Sequence, residues 1–205
     1  MAYIGNFPTD PGFSTVNFKL NNVVKQTQTA SGRTTRVAIG TTLWSGTLVF
    51  PPMTLTEFSP IQGFVALAQG GLNEFDIVIP TVSDSASENA PFLNAINVDA
   101  THNAGETAIE VDSDLGGAGN ILKAGDIIRF PNHTKVYMCT TDVNTDTAGT
   151  ATMNISPPLL QTVVAGQSIT FNEVPIRMVL ANEVQEFGYR TDRLVEYEID
   201  VQEVI

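Results

Sequence analysis

LWSGTLVFPPMTLTEFSPIQGFVALAQGGLNEFDIVIP, residues 43–80, decides the fold. Trp44, Gly46, Leu48 and Phe50 recur at every second position, the period of a half-buried strand. Pro51 and Pro52 end it, because proline cannot donate to a ladder. Thr54 and Glu57 then stand at capping-box spacing before an apolar run. Phe58, Ile61, Phe64, Val65 and Ala68 form one stripe of a helix, with Pro60 near its first turn and Gly70-Gly71 as its stop. Phe75, Ile77 and Ile79 alternate again and Pro80 closes them, so the stretch predicts strand, helix, strand.

Upstream, residues 1–12 read as an irregular arm around Pro8 and Pro11. Val16, Phe18 and Leu20 alternate with Asn17, Lys19 and Asn21, which predicts a half-buried strand. QTQTASGRTT, residues 26–35, contains no apolar side chain larger than Ala30 and predicts a long polar hairpin tip around Ser31-Gly32. Val37 and Ile39 begin the return. Downstream, PTVSDSASENAP (residues 80–91) reads as a linker. From there to residue 172 the expected strands are short: 107–111, 127–130, 135–141, 150–155 and 168–171. Gly116, Gly117, Gly119, Gly125, Gly149 and Gly166 punctuate them, the texture of a small β-barrel or sandwich. Longer strands return at 176–181 and 195–201, where Tyr197, Ile199 and Val201 alternate with Glu196, Glu198 and Asp200. The fold class is therefore mainly β with one flanking helix. Residues 1–90 plus 173–205 form an outer domain, and 91–172 form an inserted small β domain.

Composition removes several functions. The chain of 205 residues has a net charge of −12, which argues against tight nucleic-acid binding. Charge is unevenly placed. Residues 1–50 carry Lys19, Lys25, Arg33 and Arg36 against Asp10 alone, and all other acidic residues lie beyond them. A basic arm on an acidic body can attract a neighbouring copy. No signal peptide is legible, and no apolar run is long enough for a membrane span. A cytosol-like compartment before assembly and no membrane association are expected.

No catalytic, cofactor or metal residue is assigned. His102 and His133 are the only histidines, and neither sits in a nucleophile-elbow context. They read as surface or turn residues. EVDSDLGG (residues 110–117) begins like a calcium loop, but it lacks the later oxygens and bidentate Glu. Asp112 and Asp114 read as turn residues. The Gly-rich run 116–119 lacks the Gly-Lys-Ser/Thr ending of a phosphate cradle. Cys139, the only cysteine, lies in the apolar run KVYMC and is expected buried and inert. Trp44 reads first as core and second as an interface anchor.

Two segments resemble a known family. SGRTTRVAIG followed by LWSGTLVFPPMTLTEFSPIQGFVALAQGG resembles structural proteins of tailed-bacteriophage tails. KAGDIIRFPNHTKVYMCTTDV with GTATMNISPPLLQTVVAG resembles a β module inserted in phage tail and baseplate proteins. The nesting of the second within the first resembles a distal tail, or tail-tube-like baseplate, protein.

That resemblance implies a tail-tube-like β-sandwich with a flanking helix. It also implies a ring, usually hexameric, that joins the tail tube to the baseplate hub around the channel that DNA crosses. The inserted module would dock other baseplate proteins or fibres. Lys19, Lys25, Arg33, Arg36 and Trp44 are candidate subunit contacts. Glu196, Glu198 and Asp200 are candidate lumen residues, where negative charge keeps DNA from sticking. A tail-tip receptor- or carbohydrate-binding module, or the tail tube protein itself, is the alternative. An enzyme is not expected.

Overall fold

A computed structural model describes residues 1–205. In chain order the strands are β1 (Tyr3–Asn6), β2 (Thr15–Asn21), β3 (Val24–Gln28), β4 (Thr34–Ala38), β5 (Leu43–Val49) and β6 (Met53–Thr54). Helix α1 (Leu55–Ala68) and β7 (Glu74–Ile77) follow. Then come β8 (Ile96–Val98), β9 (Ala108–Ser113), β10 (Ile127–Arg129), β11 (Val136–Cys139) and β12 (Thr150–Ser156). The chain closes with β13 (Ile176–Leu180), β14 (Gly188–Tyr189), β15 (Leu194–Glu196) and β16 (Glu198–Glu203). This is the mainly β class with one helix that the periodicities predict. No helix is long and apolar enough to cross a membrane.

The chain divides into two compact units: Met1–Phe75 with Met178–Val204, and Asp76–Arg177. In the first, a six-stranded sheet runs β1-β7-β13-β16-β5-β2. Strand β5 shows the predicted alternation, with Trp44, Gly46 and Leu48 inward. The helix begins as read: Thr54 Oγ1 accepts from the Glu57 N–H, and Glu57 accepts from the Thr54 N–H. Pro60 falls one turn later than expected, inside the helix. The left-handed cap is Gln69, followed by Gly70 at φ +64°. Phe58 packs edge-on to Tyr197, and Phe64 edge-on to Phe75 and Phe7, so the helix seals one side of this core.

Two readings of this unit are corrected. Residues 1–12 are not simply an arm: β1 is an edge of the six-stranded sheet, and Phe7 is buried among Phe50, Phe64 and Phe75. Four residues are too few for alternation to register. Residues 195–201 are not one strand. The chain breaks at Tyr197, so β15 joins a small sheet with β14 and β6 while β16 joins the large one.

The second unit carries a five-stranded sheet, β10-β11-β12-β9-β8. Its outer strands are tied by one segment, 166–170. The Ile169 N–H bonds to Ile96 O, and Arg129 and Thr170 exchange both backbone hydrogen bonds. The sheet therefore closes into a small barrel around Ile109, Val111, Ile128, Tyr137 and Met153. Residues 80–91 are not a free linker. Ser85 Oγ donates to Asp126, Ser87 Oγ to the Asn120 carbonyl, and Ser83 is fully buried. The segment's hydroxyl-rich composition serves hydrogen bonding to the barrel loops, which moves the unit boundary from 90/91 to 75/76.

Candidate functional site

Strands β3 and β4 form a hairpin whose every residue is exposed. Gln26 faces Arg36 and Lys25 faces Val37 across it. The tip is closed by the Gly32 N–H bonding to Thr29 O, with Gly32 at φ +82°, where glycine carries no steric penalty. Cross-strand partners share a face, and the Ile39 N–H bonds to Val23 O. One face therefore presents Val23, Lys25, Val37 and Ile39. The three apolar side chains are 55–59% exposed. Lys19, on edge strand β2, is exposed with Leu20 beside it. Lys19, Lys25, Arg33 and Arg36 make no ion pair; the hairpin carries Lys25, Arg33 and Arg36, while Lys19 lies on β2 of the six-stranded sheet. Trp44 is not among the surface groups. It is 3% exposed and stacks on Phe18 at 4.8 Å, inside the first unit.

Glu198 and Asp200 share one face of β16, and Glu196, across the break at Tyr197, comes together with them. They line a groove of about 690 Å³ on the first unit with Glu186, Phe50, Val184 and Tyr197. Asp200 accepts from Thr47 Oγ1 at 2.6 Å and from Asn182 Nδ2 at 2.8 Å. Arg190 Nη1 donates to Glu196 at 2.6 Å. Glu186, missed by the sequence reading, joins from the preceding loop. Tyr197 O–H donates to Gln185, and burial pushes its hydroxyl up from the ordinary range. Val184 is 77% exposed. The groove thus combines apolar walls with anionic side chains.

The residues weighed for chemistry serve structure. Both histidines are buried, which corrects the surface reading. The Glu110 N–H bonds to His102 Nε2, which leaves Nδ1 to donate to Glu106 at 2.7 Å. His133 lies between Asn132 and Tyr137, 2.7 Å from each, and Tyr137 accepts from the Leu160 N–H. Burial, then Arg129 and Lys135, hold His133 below its ordinary value. Cys139 is buried, and its thiol is pushed up to about 12 by burial, with Asp126 adding to it. Asp114 accepts from the backbone and side-chain N–H groups of Asn94, as turn chemistry requires. Phe130, Tyr137 and Phe171 are core, and Phe92 is 70% exposed, so the second unit offers a single open aromatic ring to a sugar.

One cluster was not legible. Arg177 forks onto Asp76, and Arg129 Nη1 lies 3.8 Å from the same carboxylate and donates to Pro175 O. Nothing in local spacing marks a pair so distant in sequence.

Residues 93–174 match the family model described as "Distal tail protein pb9, B domain". The match covers most of the second unit. It supports the resemblance read from the sequence: a tailed-phage distal tail protein, a structural component of the virion tail. No curated protein matches the chain.

Proposed function

We propose that this phage-tail component is a ring subunit that joins the tail tube to the baseplate hub around the DNA channel. The observation that carries the reading is the hairpin of β3 and β4. It is wholly exposed, it bears apolar side chains, and its cations have no acidic partner within the monomer. Exposed apolar groups beside unpaired charge are costly to leave in water and mark a contact surface. A ring requires head-to-tail contacts between unlike surfaces. A projecting hairpin supplies one of them. The two open edges of the six-stranded sheet, β1 and β2, support the same reading.

The barrel unit docks other baseplate proteins or fibres, and the chain has no enzymatic role. DNA passes without specific binding, since the surplus of negative charge repels it. Glu196, Glu198 and Asp200 are open to two roles, lining the channel or receiving a partner, and their seating in a groove favours the second. Hexameric symmetry follows from the resemblance alone.

Deletion of residues 26–35 tests the proposal. The shortened chain is expected to remain a folded monomer with unchanged thermal unfolding of both units, and to lose assembly. Normal assembly of the deletion would exclude the hairpin as the ring contact.

A further inference from the structure

We infer that the basic hairpin of one copy seats in the acidic groove of the next. This rests on the ring reading above and names its contact. The two surfaces are chemically matched. The hairpin offers Lys25 between Val23, Val37 and Ile39 on one face, Arg36 on the other, and Arg33 at the tip. The groove offers Phe50, Val184 and Tyr197 as apolar wall, with Glu186, Glu198 and Asp200 beside it. Glu196 is already engaged by Arg190, so three carboxylates face three hairpin cations. Glu186 and Glu198 have no partner in the monomer.

Exposed ion pairs alone contribute little. The apolar side chains that accompany the charge on both surfaces supply area, while the charge sets orientation and suppresses wrong pairings. Hairpin and groove are different surfaces of one unit. Each docked copy therefore still presents one of each, which is the condition for a closed ring. A self-complementary dimer would consume both.

Charge reversal tests this. One variant carries Lys25→Glu, Arg33→Glu and Arg36→Glu. A second carries Glu186→Lys and Glu198→Lys. All five side chains are exposed, so both variants are expected to fold, checked by circular dichroism and thermal unfolding. Each alone places like charge on like charge and is expected to stay monomeric where the parent chain assembles. Mixed, the first variant's hairpin meets the second variant's groove and the reverse, so assembly is restored. Assembly of either variant alone as well as the parent, or failure of the mixture while both are folded, overturns the docking and leaves the ring reading standing. A parent chain that never assembles, with or without tube protein, overturns both.

Discussion

Arg177 holds Asp76 through two hydrogen bonds, Nε to Oδ1 at 2.6 Å and Nη2 to Oδ2 at 3.2 Å. These are the residues at which the chain enters and leaves the second compact unit. The fork closes the two ends of that unit against each other. Insertion into a host domain requires such neighbouring ends. Arg129 adds a second cation to the same carboxylate.

Removing the carboxylate takes a shared anion from two largely buried cations. Asp76→Ala is expected to destabilise the protein by about 3–5 kcal/mol, the cost of breaking a buried pair on one side. Replacing Asp76 and Arg177 together by Leu and Met is expected to recover only part of it, because one cation leaves with the carboxylate while Arg129 keeps only the His133 and Pro175 carbonyls as acceptors. Urea unfolding midpoints at unchanged slope measure both.

Gly149 sits at φ +95°, and a Cβ there would meet the Ser113 carbonyl oxygen at 2.4 Å. Gly125 has a similar φ, +101°, with open space around it. Gly125→Ala is therefore expected to cost backbone strain alone, roughly 1–3 kcal/mol. Gly149→Ala costs more, since a backbone oxygen must also shift. Thermal unfolding of the two variants side by side checks the order.

His133 is held neutral by burial, below its ordinary 6.5. The unfolded chain then binds the proton first as pH falls. The stability this histidine contributes is full above pH 6.5 and is lost as pH drops toward its lowered folded value. Against His133→Gln, the parent chain is expected to lose stability more steeply below pH 6.5. Parallel profiles would contradict the assignment.

Cys139, with its thiol pushed up to about 12, is expected to resist alkylation at pH 8 in the native protein and to react fully after denaturation. A thiol assay with and without guanidinium reads this directly.

How much of this was legible depends on range. Thr54, Glu57 and the Phe58–Ala68 stripe carry their signals within a few residues, and the helix begins at the residue they predict. The Ser31-Gly32 tip is likewise a local signal. The barrel closure by Ile169 and Thr170 is not, because a few hydrogen bonds between remote segments leave no periodicity. The same holds for Asp76 and Arg177, which read as two ordinary charges in unrelated strands. Both histidines misread as surface because burial by loops, unlike burial by a strand face, has no spacing rule. In the acidic C-terminal run, Glu203 turns inward: it is 2% exposed and accepts from the Trp44 N–H at 3.0 Å. Alternation places it on the buried face with Val201, where its carboxylate meets the start of β5.

Ring formation is the central claim, and mass in solution tests it most directly. Purified protein is weighed by light scattering across a concentration series, alone and with tail tube protein, and the same samples are imaged. A single discrete multiple of the subunit mass, with a central channel in the images, is the predicted result. A monomer at every concentration, and no ring when tube protein is present, would contradict the account.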